Sequence, residues 1–535
     1  MNLLTDIWLP VITHMGEKRT IKLAEISDPS INELDFNRMD FQGAGYQLLI
    51  GLLQTTFAPV DVDEWTERLT SPPSTDELQQ AFDKVSYAFE LDGDGVRFMQ
   101  EFNFIEDKKT LRPIEQILIG SPGQSTIEKN IDFFVKRDTV KAFSPTSAII
   151  ALMAIQLNAT EGGPGYYTSI RGGGGGMMTL VRPTKDRPLW EKLWWNVINR
   201  EFWEYDDVDL TNEEESKRVF PWLVDNSQSK TQEIQIFSTD EAKVHPLYVF
   251  WAMPRRIKLV IEQNSEKIID DFTGEVSPLI VTAYHTKQYG NHYLGDWSEN
   301  RPFTPYKSKI KQPDVLLPVK VKNEGITYKI WHALTLKDEN NIFKRAQVIA
   351  HANDIQSETQ GEFKTPNSIW VLNYNTKSFS ALGIYSAEMP MMYLKDYVQV
   401  QLLANIKEIL ELAERMLSVT NLTINKAKDL SQSEPAITRT FWQRSQPLFF
   451  GLIAQASENQ GELPPRASLE WLRQMRLLSE QIYDEQVLSV AVIKQRHMEQ
   501  RNKLTGLLYG NESAKQFAER QRALLEDQDS THETA

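Results

Sequence analysis

Residues 393–416 read YLKDYVQVQLLANIKEILELAERM, and this stretch decides the fold. Val398, Leu402, Ile406, Ile409, Ala413 and Met416 recur at three- and four-residue spacing. That is the period of a helix with one buried stripe. Similar patterns run through 436–456, 467–487 and 488–508, with short breaks such as 461–465 between most of them. Four amphipathic segments joined this way predict a four-helix bundle. The polar residues from about Asp527 onward predict a frayed tail.

Ahead of Tyr393 the period changes. From about 230 to 385 the chain looks like strands. Val319 to Lys322 alternates, Asn323-Glu324-Gly325 turns, and Ile326 to Trp331 returns. Residues 368–372 and 379–385 flank a second hairpin turn at 373–378. Further back, Leu4, Trp8 and Val11 predict an initial strand, and GYQLLIGLLQTTF at 45–57 predicts a buried helix closed by Pro59. Another helix is expected at 76–89 and a tryptophan-rich one at 188–202, with Trp194 and Trp195 in the core. The fold class is therefore α+β: a large mixed α/β domain over 1–390, then a C-terminal four-helix bundle over 391–535.

Ser144-Pro145 starts one more helix, a capping serine followed by proline in the first turn. Residues 146–157 are apolar nearly all round, so that helix is expected to be buried. It delivers the chain into EGGPGYYTSIRGGGGGMM at 161–178, which holds eight glycines. A stretch of this kind is either a structural crossover or a place where backbone amides touch a ligand. Tyr166, Tyr167 and Arg171 favour contact, because a plain linker would be filled with small polar residues.

The chain has no cysteine among its 535 residues. Disulfides, cysteine-bound zinc, iron–sulfur clusters and a thiol nucleophile are thereby excluded. The first residues form no secretory signal, and the longest apolar run, 148–155, is too short to cross a bilayer. A cytoplasmic protein without membrane contact is expected. The eight histidines show no metal-ligand spacing, and no metal site or cofactor is expected. There is no Walker loop, G-x-S-x-G elbow or H-E-x-x-H. Nothing supports catalysis, so the chain reads as a non-enzyme.

The formal net charge of −15 argues against broad coating of nucleic acid. Local basic clusters remain: Lys307, Lys309, Lys311, Lys320 and Lys322, and then Lys494, Arg496, Arg501 and Lys503. Each has the plainer reading of a solvated face. At the hairpin tip Lys377-Ser378-Phe379, a cation beside an aromatic could hold a phosphate and enter a base stack. The alternative is that Phe379 points into the core.

Several pieces, in order, resemble one family. They are Leu3-Leu4-x-Asp6-x-Trp8-Leu9-Pro10-Val11, Arg97-Phe98-Met99-Gln100, Pro113-x-Glu115, Phe133-Phe134-Val135 and Arg171-Gly172-Gly173. Leu193 to Val197, Gly295-x-Trp297, Thr304-Pro305-Tyr306 and Arg439-x-Phe441-Trp442-x-Arg444-Ser445 follow. The series resembles the large subunit of Cascade, the type I-E CRISPR surveillance complex (the CasA or Cse family), over nearly the whole chain. The resemblance implies a non-catalytic subunit that sits at the end of the complex where the guide RNA's 5′ handle is held and works with other Cascade subunits. It also implies recognition of the short duplex motif beside a double-stranded DNA target (the PAM), a start of strand separation, and recruitment of a helicase-nuclease.

The family's glycine loop for the PAM falls on Gly162-Gly163-Pro164-Gly165. Its lysine finger falls near Lys287, with Gln288 as the other alignment. Its wedge falls on Lys377-Ser378-Phe379, where the leading glutamine of the best-known members is missing. The loop near the guide-RNA handle falls on Phe134-Val135-Lys136, with lysine in place of asparagine. Two other readings stay open: a scaffold subunit without DNA readout, and a phosphate-handling transferase using the glycine run.

Overall fold

The computed structural model describes residues 1–122, 139–160, 162, 165–172, 175–226, 234–298, 302–309, 311–340, 342–361, 368–377 and 380–533. The chain divides into two compact units. One comprises Met1–Lys320 and Ala346–Glu388, and the other Val321–Arg345 and Met389–Ala535. The α+β reading holds: strands and helices mix in the first unit, and long helices end the chain.

The first unit opens with a three-stranded antiparallel sheet in which Leu9–Thr13 lies between Lys18–Ile21 and Ile31–Leu34. The helix Met39–Thr56 follows and packs against the helix Pro145–Asn158. Ser144 caps the latter, its hydroxyl accepting from the Ser147 N–H at 3.4 Å, with Pro145 in the first turn. Nearly all of its residues are buried, as its uninterrupted apolar sequence requires. Indole rings fill much of the surrounding core. Trp190 stacks on Trp194 at 5.0 Å, and the Trp194 indole N–H donates to the Trp65 carbonyl.

Two sheets position the site. In one, Arg256–Gln263 and Leu111–Pro113 flank the long strand Leu279–Lys287, all antiparallel. In the other, Ser368–Lys377 lies between Met178–Arg182 and Ser380–Pro390. The glycine-rich segment is the link from the buried helix into Met178–Arg182.

In the second unit, Asp396–Lys428 packs against Pro435–Glu458, Pro465–Tyr483 and Gln495–Gly510, the four helices expected from periodicity. A fifth helix, Glu512–Glu533, lies on Pro465–Tyr483, where Trp471 meets Phe517. The helix therefore continues where fraying was expected. Its Ala, Glu, Gln and Arg content favours helix even where little is buried.

Three other expectations need correction. The 319–331 hairpin does not form. Tyr328–Ile330 is a 3₁₀ turn leading into the helix Trp331–Thr335. The buried residues there, Tyr328, Trp331, Leu334 and Thr335, have helical spacing. Tyr328 stacks on Phe449 at 4.4 Å and its hydroxyl meets Ser445 Oγ at 2.9 Å, which draws this segment into the helical unit.

The tryptophan helix is broken into Leu189–Trp194 and Arg200–Trp203. Between them the Asn196 amide takes up Val181's backbone N–H and C=O like an added strand residue, and Asn199 caps the second piece. The fourth bundle helix starts at Gln495, not Leu488. Val490, Val492 and Ile493 are exposed there, so no packing offsets the weak helix preference of β-branched residues. Among the described residues no helix is long and apolar enough to cross a membrane.

Candidate nucleic-acid interface

The glycine-rich segment separates into two parts. Gly162 is exposed, and its N–H donates to the Tyr166 carbonyl at 3.1 Å, closing a tight loop. Gly165 has φ +76°, a backbone conformation that side chains tolerate poorly. A Cβ on it would stand 2.9 Å from Gln288 Cβ and 3.0 Å from the Tyr289 nitrogen. The space is occupied because the Gly165 carbonyl accepts from the Tyr289 N–H at 2.7 Å. The glycine loop is thus tied to the turn that follows Lys287. Gly163 and Pro164 lie outside the described residues.

Arg255 braces this loop from beneath. Its Nη2 donates to the Thr160 carbonyl, and its guanidinium lies 5.3 Å from the centre of the Tyr166 ring. Burial lowers its pKa to about 10, against the favourable influence of Tyr166 and Tyr284, so it remains charged at neutral pH. The Gln156 side chain holds the Arg255 backbone on both sides, accepting from its N–H at 2.9 Å and donating to its carbonyl at 3.0 Å.

Lys287 ends its strand with Nζ 4.4 Å from the centre of the Phe104 ring, a cation–π contact. Below the turn, Arg256 forms a buried two-pronged ion pair with Glu101 at 2.5 and 2.6 Å. Its Nη1 also donates to the Gln288 carbonyl at 3.4 Å. Gln288 is exposed, and Tyr289 sits at φ +63°. Such an outlier costs on the order of 1–3 kcal/mol and persists only where the surroundings enforce it.

These residues border an open groove of about 580 Å³. Lys109, Thr110 and Arg112 line it together with Tyr166, Lys287, Gln288 and Tyr289. None of its described lining residues is acidic. Cations, an exposed amide, two aromatic rings and a glycine loop bonded to the rim make a surface suited to nucleic acid.

Lys377 is the last residue of its strand, so 373–377 belongs to the strand and not to the turn. Ser378 and Phe379 lie outside the described residues, as do Phe134, Val135 and Lys136. Two members of the basic cluster on the fourth bundle helix are paired with acids: Arg496 with Asp429 at 2.6 Å, and Arg501 with Asp484 at 2.6 Å and Glu480 at 3.2 Å. Arg171, expected to favour contact, is buried, with Nη1 donating to Asn158 Oδ1 at 3.3 Å. Reading the sequence missed Arg255, Tyr289, Lys109 and Arg112. Lys109 and Arg112 lie far along the chain from the glycines, and no local pattern marks them.

The family model for CRISPR-associated protein Cse1 matches residues 2–482. The chain belongs to the Cse1 family. This is the large-subunit family of Cascade, as the ordered sequence pieces implied. CasA of Thermus thermophilus has the same fold, at TM-score 0.66 and 15% identity over 95% of this chain and 99% of that one. Cse1 of Acidimicrobium ferrooxidans matches at TM-score 0.65 and 14% identity, covering 98% of both chains. A chain from a CRISPR RNA-guided surveillance complex matches at TM-score 0.66 and 12% identity, over 95% of this chain and 99% of that one. Among curated protein sequences this Cse1 chain has no significant match.

Proposed function

We propose that this Cse1 chain is the PAM-reading, non-catalytic large subunit of an RNA-guided DNA surveillance complex in the cytoplasm. Its glycine loop and the Lys287 turn enter one groove of the duplex beside the target. The supporting observation is the bond from the Tyr289 N–H to the Gly165 carbonyl, with no room for a side chain at Gly165. It makes the glycine loop and the lysine turn one rigid edge, so main chain and cation reach base pairs together. Arg255 beneath the loop, and Arg256 beneath the turn with its Glu101 partner, hold that edge in place.

In this reading Lys377-Ser378-Phe379 is the wedge that opens the first base step, and Phe134-Val135-Lys136 lies near the guide-RNA handle. Unstacking a step costs a few kcal/mol, which contacts to the opened strands offset. Other Cascade subunits carry the guide, and a helicase-nuclease joins after target binding. The acidic body, with a net charge of −15, limits non-specific binding, while the cations lining the groove supply local positive charge.

Gly165→Val in the assembled, guide-loaded complex tests this. Binding to duplex targets should fall at least tenfold, about 1.4 kcal/mol, while a target already opened at the first base pairs binds nearly as before. Equal loss on both targets, or no loss, would falsify the PAM-reading role.

A further inference from the structure

We infer that Lys109 and Arg112 form a second contact in the same groove, one that grips the phosphodiester backbone of duplex DNA regardless of sequence. This role rests on the PAM-reading proposal and adds residues which that proposal does not require. Leu111–Pro113 pairs with the Lys287 strand in antiparallel register, Leu111 opposite His285 and Arg112 opposite Tyr284. Lys109 precedes that strand in the 3₁₀ turn Lys108–Thr110 and lines the same groove as Lys287. Two lysines and an arginine thus converge at one end of a strand pair, and all three line the groove.

Two described acids close by make contacts of their own. Glu106 pairs with Lys258 and stands 3.7 Å from His285. The Asp107 carboxylate caps the turn by accepting the Lys109 backbone N–H at 2.8 Å. Like charges gathered with no acid among the described lining residues repel one another, and an anion between them reverses the sign of that interaction. Arg112 is held ready: its Nη1 donates to the carbonyls of Lys109 at 2.9 Å and Leu111 at 2.7 Å. Lys109 is exposed and extends from a turn whose backbone is already capped. Among the described residues, neither is bonded to the glycine loop in the way Tyr289 is. Their contacts therefore suit the phosphates, which carry no sequence information.

The test uses the guide-loaded complex with Lys109→Ala, and with Lys109→Ala and Arg112→Ala together. Equilibrium binding is measured over a range of salt, on duplexes with and without the recognised motif. The expected result is an equal fold loss on both duplexes and a log–log salt slope shallower by about 1 for the single and about 2 for the double variant, with guide RNA retained. The single variant guards against misfolding of the double, because the Lys109 side chain is exposed. An unchanged slope, a loss confined to the motif-bearing duplex, or release of guide RNA would each overturn the clamp. Gly165→Val is measured in parallel. If it removes motif preference while Lys109→Ala is silent, the clamp alone falls. If Gly165→Val is silent as well, the PAM-reading proposal falls too.

Discussion

The two ends of the glycine-rich segment use the same residue for opposite purposes. At the first end, Gly162 is exposed and Gly165 is bonded to the rim of a groove. At the second, Gly175 and Gly176 are buried. The Asn373 side chain donates to the Gly175 carbonyl at 2.9 Å, and the Met177 N–H donates to the Val319 carbonyl at 2.9 Å. A Cβ on Gly176 would meet Pro318 Cβ and Thr304 Cγ2, both at 2.7 Å. In the proposed reading, missing side chains let DNA approach at one end; at the other they let the protein pack against itself. A run of glycines is therefore not one structural unit: one part lies beside the groove and the other is packed inside.

Substitutions can break that distinction. The largest effect is expected for Gly176→Val. Its two obstructing atoms belong to a ring and to a buried threonine, so neither can move aside. Overpacking of this kind costs roughly 1–3 kcal/mol, seen as a lower melting temperature, with DNA affinity per folded molecule unchanged. A loss of affinity without a loss of stability would show that the second end also touches ligand.

Gly165→Val comes next, with the pattern reversed. The left-handed conformation adds a strain of roughly 1–2 kcal/mol, but the larger consequence is expected in duplex binding, measured against the pre-opened target.

Acid sharpens the contrast from another direction. His351 lies in the helix Gln347–Glu358, which packs on the strand that the second glycine end enters. Complete burial lowers its pKa to about 3. The unfolded chain then binds more protons than the folded one between about pH 3 and the ordinary histidine value. Stability present above that ordinary value is lost as pH falls through this window, by up to about 1.4 kcal/mol per pH unit. Denaturant titrations should show this slope, and His351→Gln should flatten it. An identical slope in that variant would remove His351 from the account.

The smallest effect belongs to Gly162→Ala. The added carbon would lie 3.0 Å from Tyr166 Cβ at an exposed position without positive φ. Melting should move by no more than about 0.5 kcal/mol equivalent, and duplex affinity should fall only a few-fold. A drop in stability like that of Gly176→Val would erase the difference between the two ends.

Much of the architecture was legible from local periodicity. The 393–416 stripe and its three successors located four helices, and Ser144-Pro145 marked a helix start to the residue. Errors arose where one pattern admits two structures. Residues 319–331 alternate like a strand, yet Tyr328 and Trp331 find their partners on a helix more than a hundred residues later. The site was half legible. Glycines and the Lys287 neighbourhood were marked by composition and resemblance, whereas Arg255 beneath the loop carried no local signal.

By itself the chain's order of residues determined the change from mixed strands and helices to a helical end, the family, and the glycine segment as the place to look. Those properties depend on neighbours a few residues apart, which any reading of periods and motifs can reach. Tertiary structure alone decided which glycines face outward, that Gly165 bonds Tyr289, and that Lys109 and Lys287 line one groove. Register and burial arise from contacts between residues more than a hundred positions apart, and no local pattern records them.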